Sequence, residues 1–304
     1  MRVGSLGKIP SCVLALKNTE SGKVQRVESY LATTNPEEVV LAPLAAQPVP
    51  FKGKNFCGFL IGEKIGEKNS LFQLLEAMDS GLFSSLSAGI LKNCRSTTIM
   101  SLRGREFALG YDLCVKRINY KGLPHFLHKK IFGNRARRLW DMNTALLKKG
   151  ISVPKPVGFL EPVFFRERVF YYISEFIGDA VPLAGAVGQD EEKVALLIGK
   201  FIAQFHLSGA LHGDLKWENI IIKKDKPYLL DLDQARLHEK GIHVRGIKKD
   251  LFQFYRFGLS LGKKDWMDEL FIPSYRASLG GPGWKFLFSE IAESALRDLR
   301  EKGP

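Results

Sequence analysis

The sequence has few cysteines, and their spacing does not suggest a shared site. Four occur in 304 residues, at Cys12, Cys57, Cys94 and Cys114, and no Cys-x-x-Cys pair is present. Structural zinc sites and disulfide frameworks use cysteines at short, regular spacings. The pattern therefore argues against both, and it fits a protein of a reducing compartment, where disulfides are rare.

Long apolar runs are also missing. No run approaches the roughly 20 apolar residues that are needed to span a bilayer. At the N-terminus, Lys8 and Pro10 interrupt the apolar residues that a secretory signal would need in sequence. We therefore expect a cytoplasmic protein.

Acidic residues are absent from one long basic segment. The net charge is +13, but residues 1–90 carry nine lysines and arginines against eight acids and are nearly neutral. Residues 113–140 carry eight lysines and arginines and no acid. Such a patch attracts phosphate groups. A solvated helix face is the alternative for part of it, but the complete absence of acids favours a functional patch. Nucleic acid is not predicted as the partner, because no helix-turn-helix, zinc-finger or RNP pattern accompanies the patch.

The order of predicted elements indicates an α+β fold. Residues 1–50 give weak strand signals and several prolines, and we assign no function to residues 1–90. From about residue 91 the pattern sharpens. Extended segments are predicted at 96–102, 107–118 and 169–176, with a turn at Arg103-Gly104, and amphipathic helices at 134–149 and 191–207. Gly150 is predicted as the residue that ends the first helix.

Residues 212–233, HGDLKWENIIIKKDKPYLLDLD, contain the strongest chemical signal. They space Asp214, Asn219 and Asp231 around two apolar runs that are typical of strands. A loop followed by a hairpin would bring all three side chains to one end. Phosphoryl transfer needs a carboxylate to orient the acceptor hydroxyl and oxygen ligands for magnesium. The alternative is a surface hairpin with acidic turns, but Asp231 and Asp233 end an apolar run, where a buried carboxylate needs a partner.

These motifs resemble the protein-kinase-like superfamily and, within it, the lipopolysaccharide kinases of the Kdo/WaaP family. The similarity spans about residues 91–280. It rests on Leu113-Cys114-Val115-Lys116-Arg117, Gly150-Ile151-Ser152-Val153-Pro154, His212-Gly213-Asp214-Leu215-Lys216 with Asn219, and Asp231-Leu232-Asp233. The resemblance implies a bilobal kinase-like fold. Residues 1–90 would form an N-terminal extension, 91–178 a small β-rich N-lobe and 179–304 a mainly helical C-lobe.

The resemblance also implies ATP and Mg²⁺ as cofactors and gives the residues their roles. Lys116 would contact the α- and β-phosphates of ATP, and the backbone of Glu175 and Ile177 would meet the adenine at the hinge. Asn219 and Asp231 would bind the metal. Lys116 as an ordinary strand lysine remains the alternative.

The catalytic roles fall in the same loop. Asp214 would orient the acceptor hydroxyl, and Lys216 would lie near the transferred phosphate unless it is simply solvated. His212 is expected to fix the loop by hydrogen bonds rather than to carry protons, and Asp250 is expected to tie the loop down. Asp233 would support the metal ligands or cap a helix.

Two features depart from the kinase pattern, and the second leaves a non-catalytic interpretation open. No G-x-G-x-x-G covers the first hairpin, where Ser96-Thr97-Thr98 and Arg103-Gly104-Arg105 stand instead. Counting back from Gly150, Leu139 occupies the helix position that normally carries the glutamate partner of the lysine. The only acid in that helix, Asp141, would face about 200° away.

The segment after Asp231 predicts an anionic acceptor. Gly213 replaces the arginine of phospho-regulated kinases, and residues 231–259 contain no serine or threonine but several bases, including Arg236, Arg245, Lys248 and Lys249. The resemblance implies that the acceptor is a hydroxyl of an anionic sugar or glycolipid, most simply a lipopolysaccharide inner-core sugar. Residues 113–140, with their apolar side chains, would then rest on the cytoplasmic membrane face or pack inside the upper lobe. A protein Ser/Thr kinase and a pseudokinase-like, membrane-associated binding module remain alternatives.

Overall fold

The computed structural model describes residues 48–61, 74, 78, 88–104, 110–119, 135–163, 169–239, 244–280 and 285–302. The chain forms two compact units. The first combines Met1–Ala136 with Val157–Ser174, and the second combines Arg137–Pro156 with Glu175–Pro304. Among the described residues, every helix is too short or too polar to cross a membrane.

The first unit is built on a seven-stranded sheet in the order β1-β2-β6-β7-β5-β4-β3. Its strands are β1 Pro48–Lys52, β2 Phe56–Ile61, β3 Ala88–Cys94, β4 Thr97–Leu102, β5 Leu113–Asn119, β6 Pro156–Pro162 and β7 Val169–Glu175. The β1–β2, β2–β6, β3–β4 and β4–β5 pairs are antiparallel. The first six residues of β7 are all buried, which means that this strand is covered on both faces.

One face of the sheet carries an apolar core. Because side chains alternate along a strand, Leu113 and Val115 of β5 share this face with Tyr171 and Ile173 of β7. The full cluster is Phe51, Phe56, Leu60, Leu74, Met78, Met100, Leu102, Leu113, Val115, Val157, Leu160, Val169, Tyr171 and Ile173. Burial of each large apolar side chain stabilises the fold by about 1.5–3 kcal/mol.

Part of the predicted N-terminal extension belongs to this sheet. Strands β1 and β2 come from residues 48–61, and β2 pairs with β6 from Phe56 opposite Pro162 to Leu60 opposite Gly158. Close packing holds this pair together, since a Cβ built on Gly58 would lie 1.9 Å from the carbonyl oxygen of Phe159. Residues 1–47 lie outside the described part of the chain, and the predicted boundaries at 90 and 178 stay predictions.

The hairpin predicted after residue 102 is confirmed, because β4 and β5 pair antiparallel with Leu102 opposite Leu113. A tight turn also lies one strand earlier, where Cys94 pairs with Thr97 between β3 and β4. In the connection from β4 to β5, the Gly104 amide donates to Asp112 Oδ1 at 2.8 Å. Of the predicted extended segment at 107–118, residues 107–109 lie outside the described residues, and Leu113–Ile118 belong to β5.

The second unit is mainly helical. Its helices are α1 Arg135–Lys148, whose first two residues belong to the first unit, α2 Leu183–Val187, α3 Glu191–Leu207, α4 Val244–Ser260, α5 Ile272–Leu279 and α6 Lys285–Lys302, with a π-helix at Trp266–Phe271. Short strands are β8 Val181–Pro182, β9 Ala210–Leu211, β10 Ile220–Lys223, β11 Lys226–Leu229 and β12 Arg236–Leu237, arranged as β11-β10-β8 and β12-β9. The predicted α+β composition is confirmed.

Local signals fix the ends of the two predicted helices. Helix α3 has the predicted bounds because the Asp190 side chain accepts the Lys193 amide at 3.1 Å and caps its first turn. Helix α1 ends at Lys148, and Gly150 terminates it as predicted, with φ at +75°. The amides of Gly150 and Ile151 donate to Leu147 and Leu146, which is the pairing of a Schellman motif.

Replacement of Gly58 tests whether the β2–β6 pair contributes to the stability of the sheet. Gly58→Ala should lower the free energy of unfolding by about 2 kcal/mol or more, because the new Cβ meets backbone that cannot yield without breaking the pair. Urea unfolding would measure it. Gly110→Ala is the matched control, since a Cβ there meets nothing within 4 Å. Equal stability of the two variants would contradict the close β2–β6 approach.

Candidate active site

The β10–β11 hairpin brings Asn219 and Asp231 to one end. Its two-residue turn, Lys224-Asp225, has φ angles of 49° and 57°, which match the twist of a tight hairpin. Ile220 pairs with Leu229 at the opposite end, so that Asn219 enters the hairpin where Asp231 leaves it. The Leu230 amide closes this end by donating to the Asn219 carbonyl at 2.8 Å. The predicted hairpin is confirmed.

Asp214 is tied directly to this open end. The Asn219 side chain donates from Nδ2 to the Asp214 carbonyl at 2.9 Å. Because Nδ2 is used in that bond, Oδ1 is the side-chain atom that would bind a cation. An amide oxygen together with a carboxylate is a donor set that suits magnesium, which keeps most of its waters and uses substrate phosphate as well. The residues present therefore fit the predicted metal.

The backbone of Asp231 is held in the left-handed region, with φ 54° and ψ 52°. For a residue with a side chain this costs on the order of 1–3 kcal/mol, a cost that is met most often at functional sites. Asp231 is exposed, so the expectation of a buried carboxylate is wrong at this position, whereas Asp233 is half-buried. This strained backbone lies at the hairpin exit, one residue beyond Leu230, which follows β11.

Lys216 lies against Asp214. Its Nζ is 3.1 Å from Asp214 Oδ1, and the two side chains are 40% and 26% exposed. A short ammonium–carboxylate contact of this kind holds both groups on one side of the loop while leaving them accessible to solvent and substrate. The proposed catalytic role of both residues stays a prediction.

The loop that carries Asp214 is anchored by the buried carboxylate of Asp250. Asp250, on α4, accepts the His212 amide at 2.6 Å and the Gly213 amide at 2.8 Å. Burial alone would raise the pKa of Asp250, but nearby His206 and the two amides outweigh it and lower the pKa. The expectation that Asp250 ties the loop down is confirmed.

His212 has the structural role expected of it. Burial lowers its pKa, so the ring is neutral at pH 7. Its Nδ1 accepts the Asp214 amide at 3.3 Å, and its Nε2 lies 3.0 Å from the Leu230 carbonyl. An Nε2-protonated neutral ring satisfies both bonds, which links the loop to the hairpin exit.

Sequence reasoning missed two members of this network, His206 and Tyr275. His206 Nδ1 lies 2.7 Å from the Tyr275 hydroxyl, and His206 Nε2 lies 3.5 Å from Asp250 Oδ2. Both residues are buried. The available signal was a histidine in the apolar stripe of α3, between Phe205 and Leu207, where a polar ring needs a partner.

Gly213 is required by its surroundings. It has φ +82°, and a Cβ there would lie 2.9 Å from the Gln234 carbonyl oxygen. An arginine at this position, as in phospho-regulated kinases, would be strained and would collide with the segment after Asp231. This explains the departure from the kinase pattern in steric terms.

Lys116 lies on a polar face of the sheet in the first unit. It is 9% exposed and follows the alternation of β5 to the face opposite the apolar core. Cys114, Tyr172 and Ser174 share this surface, since Ser174 hydrogen-bonds the Cys114 thiol and Tyr172 lies close to it. Polar groups on a buried face favour a ligand site over a simple core. The predicted convergence of Lys116 with Asp214, Asn219 and Asp231 stays a prediction.

Helix α1 shows what replaces the usual glutamate. Leu139 is 3% exposed, and its carbonyl accepts the Asn143 side chain at 2.8 Å. The Asp141 side chain is 60% exposed and lies 3.9 Å from Arg137 Nε. Asp141 thus faces away from Leu139, as predicted, and pairs along its own helix.

The predicted hinge follows β7. The Glu175 amide donates to the Lys155 carbonyl at 2.8 Å, and the Gly178 amide donates to the Phe176 carbonyl at 3.1 Å, with Ile177 between them. These bonds fix the backbone of the segment. Contact of Glu175 and Ile177 with adenine stays a prediction.

The basic segment at 113–140 is described only in part. Residues 120–134, including Phe126, Leu127, Ile131 and Phe132, lie outside the described residues. Trp140 is 8% exposed, which favours packing inside the protein over contact with a membrane for this side chain.

Comparison with known proteins identifies a family model that matches half of the chain. The model of the lipopolysaccharide kinase (Kdo/WaaP) family matches residues 124–275. The match includes the hinge segment, the Asp214 loop and the hairpin, but not Lys116.

The chain is also similar to a solved structure, "WaaP in complex with acyl carrier protein". The TM-score is 0.51 and the sequence identity 15%, over 71% of this chain and 91% of that one. At this identity the likeness concerns the fold alone, and it confirms the predicted kinase-like fold.

Curated relatives carry a different name. A "Probable bifunctional tRNA threonylcarbamoyladenosine biosynthesis protein" of Methanosarcina barkeri is 31% identical over 146 residues, which is 48% of this chain and 24% of that protein. The protein of the same name in Methanosarcina acetivorans is 30% identical over 126 residues, 41% of this chain and 21% of that protein. The chain thus spans less than a quarter of the length of these relatives.

Loss of the Asp250 charge should destabilise the fold. Asp250→Asn leaves two buried amides facing a weaker acceptor and should lower the free energy of unfolding at neutral pH by about 3 kcal/mol. A depressed carboxyl pKa contributes stability above the ordinary carboxyl pKa, which is lost as pH falls through the folded value. The difference in unfolding free energy between the wild-type protein and Asp250→Asn should therefore shrink below about pH 4.

Urea unfolding at neutral and acidic pH measures this effect. Asp265→Asn, at an exposed carboxylate without a capping bond, is the matched control. A deficit at neutral pH no larger than that of Asp265→Asn would remove Asp250 from its anchoring role.

Two thiols of the first unit should differ in reactivity. These are Cys94, at the β3–β4 turn, and Cys114, two residues before Lys116. Cys94 is exposed, and its hydrogen bonds with Ser96 lower its pKa, whereas burial raises the pKa of Cys114 to about 11. Since the thiolate is the nucleophile, iodoacetamide at neutral pH should alkylate Cys94 about tenfold faster or more. Mass spectrometry of the two peptides measures the rates. They should converge in urea, and equal rates in the folded protein would contradict the burial of Cys114.

Proposed function

This chain belongs to the lipopolysaccharide kinase (Kdo/WaaP) family, and we propose that it transfers the γ-phosphate of ATP to a hydroxyl of an anionic sugar or glycolipid. The family consists of kinases, phosphotransferases with an alcohol group as acceptor, which agrees with the predicted enzyme class. The observation that carries the proposal is the link from the Asn219 side chain to the Asp214 backbone at the open end of the hairpin. A lipopolysaccharide inner-core sugar is the acceptor that the family name favours.

In this proposal, Asp214 orients the acceptor hydroxyl and takes up its proton. Its carboxylate is partly exposed, and its backbone is fixed by both His212 and Asn219. Lys216, 3.1 Å from Asp214, offsets negative charge as the phosphoryl group moves to the acceptor. Such positioning is most of what phosphoryl transfer requires from a protein.

Asn219 Oδ1 and the Asp231 carboxylate are the groups that would hold magnesium, which neutralises charge on the phosphates when bound. In the first unit, Lys116 would bind the α- and β-phosphates. Its buried position beside Cys114 and Ser174 supports this role, because burial strengthens the attraction between an ammonium group and a phosphate.

The preference for an anionic acceptor is supported by the segment after Asp231. Arg236, on β12, is exposed and makes no ion pair with another described residue, and its strand pairs with β9 immediately before the Asp214 loop. Arg245 and Lys249 are also exposed. Lys248 contributes less than its charge suggests, because it pairs with Glu290 of α6. Peripheral contact with the cytoplasmic membrane face would bring such an acceptor within reach.

One observation favours a non-catalytic alternative. Leu139 is buried at the helix position where kinases carry the glutamate that orients the strand lysine. A pseudokinase-like, membrane-associated module would bind nucleotide weakly or without metal. The tRNA-related activity in the names of the curated relatives is not carried over, since the match covers less than a quarter of those proteins.

A transfer assay tests the proposal. With γ-labelled ATP, magnesium and a crude lipid and lipopolysaccharide extract, the protein should label a glycolipid whose mass rises by one phosphate. Asp214→Asn should lower the rate by about 10²-fold or more, while the affinity for ATP stays within a few-fold of the original. Asp225→Asn makes the same change at the closed end of the hairpin and should leave the rate unchanged.

Three results would count against the proposal. Labelling of peptides in the absence of lipid would favour a protein kinase. Retained transfer in Asp214→Asn would remove that residue from the catalytic role. Absence of any thermal stabilisation by magnesium and ATP, which should reach about 2.7 kcal/mol at 100 times the dissociation constant, would favour the non-catalytic module.

A further inference from the structure

Trp217 is the largest buried side chain of the loop that holds the candidate site. It begins a short 3-10 turn, Trp217–Asn219, and lies between Lys216 and Asn219 in the chain. Its side chain is 1% exposed, whereas Lys216 and Asn219 on either side are half-buried. The loop therefore sends one large ring inwards while its neighbouring polar groups remain available to a ligand.

The ring of Trp217 packs on the C-terminal part of the chain. Its centroid lies 5.7 Å from that of Phe254 on α4 and 5.0 Å from that of Trp266, edge to face. Trp266 begins a π-helix, a rare element that is found most often near functional sites. Gly258 of α4 faces the same ring, since a Cβ built there would lie 3.0 Å from Trp217 Cζ2.

Hydrogen bonding does not explain the presence of an indole. Among the described residues, the buried Trp217 Nε1 has no acceptor. In contrast, Trp266 donates from Nε1 to the Glu191 carbonyl at 2.9 Å. A buried N–H without a partner is unfavourable, and a smaller ring would avoid it. The size and rigidity of the ring, rather than hydrogen bonding, therefore account for a tryptophan at position 217.

A displacement of this ring would also displace residues of the candidate site. The Asn219 amide donates to the Lys216 carbonyl at 3.0 Å, which closes the turn around Trp217. The Asn219 side chain then donates to the Asp214 carbonyl at 2.9 Å. The buried ring thus belongs to the same short turn as Asn219, a proposed metal ligand, and one hydrogen bond joins Asn219 to Asp214, the residue proposed to orient the acceptor.

We propose that Trp217 is a positioning residue whose contact with Gly258 sets the placement of Asn219, and through it the affinity for magnesium-bound ATP. The inference rests on the proposed function, because it requires Asn219 to act as a metal ligand. It also identifies Gly258, on α4 and outside the loop, as a position where a substitution would alter the site without replacing a residue proposed to bind magnesium or ATP.

Gly258→Ala is the direct test. The added methyl group presses on the rigid indole and on the flexible Met267 side chain, whose Cγ would lie 2.9 Å away. The affinity for ATP with magnesium should fall about tenfold, because small displacements of positioned groups are costly. The affinity for ATP with EDTA should not change. Calorimetric titration of the full chain measures both, and a merely structural defect would lower the two together.

Gly188→Ala is the matched control, since a Cβ there makes only ordinary contacts, the nearest at 3.5 Å, and should alter neither affinity. Rescue provides the second measurement. Phenylalanine lacks the outer ring atoms of the indole, so in a Trp217→Phe background Gly258→Ala should change the magnesium-dependent affinity less than about twofold.

Each outcome decides the matter. An equal effect of Gly258→Ala in the two backgrounds, or unchanged magnesium-dependent affinity in the single variant, would overturn the role of Trp217 and leave the proposed function intact. If the Gly258→Ala variant does not fold, Trp217→Phe is measured instead. In that case, an affinity of Trp217→Phe for ATP with magnesium equal to that of the wild-type protein would also overturn the role of Trp217. Failure of the wild-type protein to bind ATP with magnesium would overturn the proposed function itself.

Discussion

The carboxylate of Asp250 is the group on which the candidate site depends. It accepts two consecutive backbone amides, those of His212 and Gly213, and is itself buried on α4. A buried charge is tolerated only when such donors surround it, and the same donors fix the loop that carries Asp214. One interaction therefore stabilises the helical unit and determines where the loop begins.

Hydrogen bonds join the loop anchored by Asp250 to the β10–β11 hairpin. Neutral His212 joins the loop to Leu230 at the hairpin exit, and Asn219 joins the hairpin entrance to Asp214. Behind the loop, Trp217 fills the space against α4 and the π-helix. The partly exposed polar groups of the candidate site are thus supported by buried ones, an arrangement that keeps the loop ordered without placing these polar groups in the core.

Departures from the common kinase pattern follow from packing. Gly213 has no room for the side chain of a phosphate-sensing arginine, because Gln234 lies against it. Leu139 is buried at the helix position that carries a glutamate in the kinase pattern, and a charged side chain there would be desolvated. In the first unit, the face of the sheet that carries Lys116 also contains Cys114, Tyr172 and Ser174.

Sequence alone determined the features that depend on local chemistry. The Asp214 loop, the hairpin, the bounds of α3 and the left-handed Gly150 follow from spacing, turn residues and capping, which act over a few residues. Tertiary structure decided what depends on contacts between distant segments. These are the addition of residues 48–61 to the sheet, the Tyr275–His206–Asp250 chain and the packing of Gly258 on Trp217. No local pattern specifies them, because each partner is chosen by the shape of another part of the chain.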